Sequence, residues 1–142
     1  MMKVYWESMY ETGMSEIDIQ HREILRLLNL VACSATAKQS WDILANLLVY
    51  LRQHFSLEEK YMPPDVETSG EHKRDHDRLA DAVADLLDRV LTLQASWVEK
   101  ECKKLIRDVL VEHTWRFDRP MAVASLQQRK EVLSTSLEAA LG

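Results

Sequence analysis

The chain has little that would break a helix. Its 142 residues include only three glycines and three prolines, a scarcity that favours long helices over many short strands joined by turns. Cysteine is scarce as well. Cys33 and Cys102 cannot make a disulfide framework, so a reducing cytoplasm is the expected compartment. No apolar run approaches the roughly 18 residues needed to span a bilayer, and the opening MMKVYWESMY lacks the apolar core of a secretory signal. Lysine and arginine form no cluster and the formal net charge is −5, so neither nucleic acid nor an anionic membrane is expected as partner. The remainder, 46% apolar and 29% charged, suits one globular domain with a real core.

Helical periodicity is what the chain does contain. Ser15 followed by Glu16-Ile17-Asp18 reads as a capping box, and Ile17, His21, Ile24, Leu28 and Val31 then share one face of a helix ending near Ala37. Ser40 is expected to cap a second helix with the stripe Leu44, Leu47, Leu51, His54 or Phe55, Glu58 and Met62, stopped by Pro63-Pro64. After a polar loop, DVETSG, a third helix carries His72, His76, Leu79, Val83, Leu86, Val90 and Leu93. A fourth opens around Trp97, runs through Val98, Cys102, Leu105, Val109 and His113, and is closed by Pro120. Such helices on short loops predict an all-α, antiparallel up-down-up-down bundle over residues 1–119, with an N-terminal arm. Residues 120–142 read as an additional helix with the partial stripe Leu126, Leu133, Leu137 and Leu141. It is either a fifth helix packed on the bundle, or a connector to a signalling domain or a homodimer seam.

This topology collects the histidines. His21 lies near the start of the first helix, His54 near the end of the second, His72 and His76 at the start of the third and His113 at the end of the fourth. In an antiparallel bundle these are all one end. A buried imidazole needs partners for both nitrogens, and a metal ion supplies them. One His pair at helical spacing arises by chance, and a lone inward His is usually packing. Five on inward stripes at one level call for another explanation. Five also exceed the four ligands of a tetrahedral ion, and the surplus points to two ions held together by bridging carboxylates. Glu58 shares the stripe of His54. Asp118 is the second candidate, although five steps turn a regular helix roughly 140° away from His113, so a loosened or widened last turn is expected near Pro120. Asp18, Glu59, Asp75, Asp77 and Glu112 are expected to be solvated or capping. Cys33 and Cys102 are expected as buried unpaired thiols, with a redox pair as the alternative.

The segments GMSEIDIQH, HFSLEEKYM, HKRDH and HTWRFD, with Trp6 and YETG ahead of them, together resemble the bacterial hemerythrin-like proteins over about residues 5–118. The resemblance implies an oxo- or hydroxo-bridged pair of iron ions. His72, His76 and His113 would hold one iron, His21 and His54 the other, and Glu58 and Asp118 would bridge both. Of about twelve octahedral positions, one then stays open for dioxygen on the iron with two histidines. Ile17, Ile24, Phe55 and Phe117 are expected as apolar lining, and Arg116 either faces solvent or tunes access. The implied function is reversible dioxygen binding, in an oxygen carrier or an oxygen/redox sensor domain rather than an enzyme. Ferritin-like oxidases use paired Glu-x-x-His motifs, which this chain lacks. Peroxide or nitric oxide chemistry and iron storage are the alternatives.

Overall fold

The apolar stripes at three- and four-residue spacing become four long helical rods in the computed structural model, which describes residues 3–64 and 66–142. The first rod is α1, Ser15–Ala32; the second is α2, Ala37–Glu59; the third is α3, Val66–Arg89. The fourth begins as α4, Ala95–Ile106, continues as a π-helical segment, Arg107–Asp118, and leads without a break into α5, Arg119–Leu141. Among the described residues there is no strand, and no helix is long and apolar enough to cross a membrane.

Neighbouring rods run in opposite directions. His21, early in α1, meets His54, late in α2, whereas Ser40 at the start of α2 donates to the Val31 carbonyl at the end of α1. Phe55, late in α2, stacks on His76, early in α3. The interior between the rods is filled by Ile24, Leu28, Leu44, Leu47, Leu51, Leu79, Val83, Leu86, Leu105 and Leu110. Each fully buried aliphatic side chain contributes about 1.5–3 kcal/mol.

Several boundaries differ from expectation, each for a local reason. Ser15 is the first residue of α1 and caps nothing; Met14 holds the N-cap position. Asp18 instead turns back on the preceding chain and accepts from the Thr12 N–H and hydroxyl, both at 2.8 Å. Gly13 takes φ +93 in that turn, a conformation costly for a residue with a Cβ. α1 stops at Ala32, and Thr36, whose hydroxyl accepts from the Gln39 N–H, caps α2 in place of Ser40. α2 ends at Glu59, ahead of Met62 and the two prolines. Most of the expected DVETSG loop is helical, because α3 starts at Val66; Asp65 lies outside the described residues. Cys102 is buried as expected, but Cys33, at the C-cap of α1, is exposed.

The N-terminal arm is tied to the bundle by polar contacts. The Asn29 side chain pairs with the Val4 backbone in both directions, at 3.0 and 2.7 Å. Trp6 meets Tyr10 edge-on and lies under the Arg22 guanidinium. Trp115 and Arg119 donate to the Met9 and Glu11 carbonyls, so the arm also reaches the fourth rod.

Pro120 does not close that rod. It is the second residue of α5, directly after the π segment. In a tight α-turn the proline ring would press on the carbonyl four residues back and leave one acceptor unpaired. The wider winding ahead of it relieves that crowding. The Arg119 N–H donates to the Thr114 carbonyl five residues back, and the buried Thr114 hydroxyl donates to the Val109 carbonyl at 2.9 Å, again five back. Beyond Met121 and Ala122, α5 buries no side chain fully. Its first half still touches the bundle, where Arg129 pairs with Glu16 at 2.9 Å and lies over the Tyr61 ring, whereas Val132, Leu133, Leu137 and Leu141 are exposed.

Candidate metal centre

Each rod delivers its histidines by the same device. A residue on the apolar stripe, within about three turns of the same end of the bundle, is carried into the interior, and the polar head is placed among apolar neighbours. His21, His54, His72, His76 and His113 are all buried, as are Glu58 and Asp118. The seven residues singled out from the sequence are brought together.

The five imidazoles present the same atom, Nε2, to the centre. Glu58 divides its two oxygens between two groups of them. Its Oε1 lies 3.4 Å from His21 Nε2 and in close contact with His54 Nε2, while Oε2 lies 3.3, 3.2 and 3.9 Å from the Nε2 atoms of His72, His76 and His113. Asp118 divides its oxygens in the same sense. Its Oδ1 is 2.9 Å from His72 Nε2 and 3.0 Å from His113 Nε2, and its Oδ2 is 3.3 Å from His21 Nε2. Two donor sets result. Atoms of Glu58, His72, His76, His113 and Asp118 lie within 4.8 Å of one another, and so do those of His21, His54 and Glu58.

The donor set fits metal ions better than it fits a hydrogen-bonded core. Nε2 of His21 and His54 approach to 3.0 Å, a pairing that uses up the one lone pair of an imidazole. His113 Nε2 and Asp118 Oδ2 are buried and make no aligned hydrogen bond. Orphaned polar atoms of this kind are expensive; here they face other donors across a short gap, which is the arrangement a shared cation satisfies. The electrostatics agree. Burial opposes charge on Glu58, yet the neighbouring imidazoles, His54 foremost, hold its carboxyl well below the usual range. Burial opposes a proton on His21, but Asp118 and Glu58 raise its pKa to about 9. Burial likewise opposes a proton on His113, which the Asp118 charge nonetheless pulls well above its ordinary value. Two buried carboxylates that remain ionised demand positive charge at the centre.

Aromatic faces close the flanks. Phe55 stacks on His76 at 3.9 Å between centroids and Phe117 on His72 at 5.0 Å. Met14, Ile17 and Ala122 form a separate buried apolar cluster, one turn before His21 and one turn past Asp118. Ile24 belongs to the main core. Arg116 is exposed and lies over the Phe117 ring.

Other groups sit differently from what the sequence suggested. Asp75, expected to be solvated or capping, meets His113 Nδ1 at 2.6 Å. Gln20, not singled out at all, meets His54 Nδ1 at 2.6 Å. The available signal was their position, one residue before His76 and His21. Glu59 Oε2 stands 3.9 Å from His76 Nδ1, too far for a hydrogen bond, while Asp77 and Glu112 are exposed.

Residues 12–116 match the hemerythrin HHE cation binding domain. Comparison with curated proteins and with solved structures returned no match. The matched span covers most of the bundle, from the Thr12 turn through His113, and with it all five histidines and Glu58. This chain therefore belongs to the hemerythrin HHE cation-binding domain family.

Proposed function

We propose that the protein binds dioxygen reversibly at a pair of iron ions held by His21, His54, Glu58, His72, His76, His113 and Asp118. The observation that carries this reading is the unequal division of the cluster. Glu58 meets three imidazoles with one oxygen and two with the other, and Asp118 meets two of the first group with one oxygen and one of the second with the other, so two ions bridged by Glu58 and Asp118 would not be equivalent. The ion with fewer protein donors is left with room for a small ligand. When bound, two ferrous ions supply the two electrons that dioxygen takes up on binding and returns on release.

The chain's own part is to orient and to exclude water. Phe55 and Phe117 hold the His76 and His72 rings flat against them, and Met14, Ile17 and Ala122 form a dry apolar cluster one turn before His21. A dry pocket with mostly neutral donors stabilises high-valent iron poorly, which favours release over substrate oxidation. On this ground we read the protein as a binding protein and not an enzyme. The exposed Cys33 thiol accords with a reducing cytoplasm.

The test is an optical spectrum of the iron-loaded protein, reduced without air and then exposed to it. Charge-transfer absorption should appear on exposure and vanish when the gas is removed. Irreversible bleaching, or sustained turnover of peroxide faster than free iron supports, would replace this reading with an enzymatic one.

The continuity of α5 with Asp118 favours a sensor over a carrier. A change at the centre that moves Asp118 has a rigid helix to act on, without an intervening loop. Protease cutting within α5 should then differ between the oxygenated, reduced and metal-free forms. Identical rates count against sensing.

A further inference from the structure

Two side chains outside the cluster share one geometry. Gln20 immediately precedes His21 on α1, and its Oε1 meets His54 Nδ1 on α2 at 2.6 Å. Asp75 immediately precedes His76 on α3, and its Oδ2 meets Nδ1 of His113 on the fourth rod at 2.6 Å. A residue one step before another on a helix points about 100° around the axis from it. When His21 or His76 points inward, its predecessor therefore points sideways, at the neighbouring rod. Each hairpin of the bundle is cross-buttressed in this way. An oxygen acceptor at Nδ1 keeps the imidazole proton on that nitrogen, so the Nε2 lone pair is directed at the centre.

The two acceptors are chemically unequal. Gln20 offers a neutral amide oxygen. Asp75 offers a carboxylate, steadied through its other oxygen by Arg78 Nε at 2.8 Å. Hydrogen bonds to an ionised acceptor are roughly twice as strong as neutral ones, and a carboxylate behind an imidazole makes it a better donor to metal. The carboxylate stands behind the larger donor set and the amide behind the smaller.

We propose that Asp75 and Gln20 are positioning residues that set the order of metal loading. The His72, His76 and His113 position fills first and holds its ion more tightly, and the His21 and His54 position fills second and exchanges more readily. This rests on reading the cluster as a two-metal centre. Asp75 acts through His113, and Gln20 acts through His54.

The experiment is stepwise addition of ferrous iron to the metal-free protein without oxygen, followed by calorimetry. Cobalt(II) absorption provides a separate spectroscopic signature of each donor set. Wild type should show two phases. Asp75→Asn keeps the size and an acceptor but removes the charge; it should weaken the first phase 10–100-fold and leave the second within about threefold. Gln20→Leu should weaken only the second phase, and Gln20→Glu should tighten it, a gain that loss of packing cannot produce. Thermal unfolding of the metal-free variants checks that each folds. Equal loading of Asp75→Asn and wild type, or the same loss in both phases, overturns the proposal. If wild type takes up only one ion, the two-metal reading fails, yet Asp75→Asn still decides whether Asp75 supports that ion. No uptake at all overturns both.

Discussion

His113 and Asp118 are five residues apart, and His113 Nε2 lies 3.0 Å from Asp118 Oδ1. A regular α-helix would aim the two roughly 140° apart. The π winding of Arg107–Asp118 narrows that offset, since its ladder closes five residues back instead of four. One extra residue in each hydrogen-bonded loop thus places a second carboxylate opposite Glu58, and the same rod continues through Pro120.

The Thr114 hydroxyl is part of that winding, because it donates to the Val109 carbonyl in a fully buried position. Thr114→Val keeps the shape and removes the bond. A buried hydrogen bond contributes about 1 kcal/mol, so the melting temperature of the metal-free protein should fall by about 3 °C. Metal affinity should fall with it, because Asp118 loses its register. Both follow from calorimetry.

His54→Ala and Glu58→Ala each delete a donor from the smaller set, and Glu58 also belongs to the larger. Elemental analysis should find iron reduced well below two per chain in both, with the greater loss for Glu58→Ala. Unchanged stoichiometry in either variant contradicts the assignment.

Stripping metal should destabilise the fold, because it leaves five imidazoles and two carboxylates buried without a cation. An ion present at a hundred times its dissociation constant stabilises by about 2.7 kcal/mol. The loaded protein should therefore melt about 8 °C above the chelated one, and restoring the ion should restore the difference.

Asp18 accepts three hydrogen bonds, from the Thr12 N–H and hydroxyl and the Gly13 N–H. Asp18→Ala leaves those donors unpaired in a largely buried turn and should cost about 2 kcal/mol. Thermal unfolding reads the loss. Iron stoichiometry at saturation should be unaffected, since Asp18 touches no member of the cluster.

Met121 and Leu137 are both apolar residues of α5, but only Met121 is buried. Met121→Ala should cost about 2–4 kcal/mol, while Leu137→Ala should stay within about 0.5 kcal/mol. Similar losses in both would mean that the exposed half of α5 is covered in solution.

The sequence by itself determined the rods, their inward faces and the gathering of all five histidines with Glu58. The three-to-four-residue recurrence of apolar positions is a local property, and counting along it puts His21, His54, His72, His76 and His113 at one level. It also pointed to trouble at Asp118, since a spacing of five does not suit an α-helix. Only the tertiary structure decided how that trouble is met, because winding a helix as π is locally unfavourable and persists when a buried carboxylate and its partners outweigh the cost. Tertiary structure likewise decided that Thr36 and not Ser40 caps α2, that Asp18 serves the arm, and that Gln20 and Asp75 stand behind histidines of a neighbouring rod. Such contacts depend on which rod lies alongside and at what height, which a position one residue before an inward histidine suggests but does not fix.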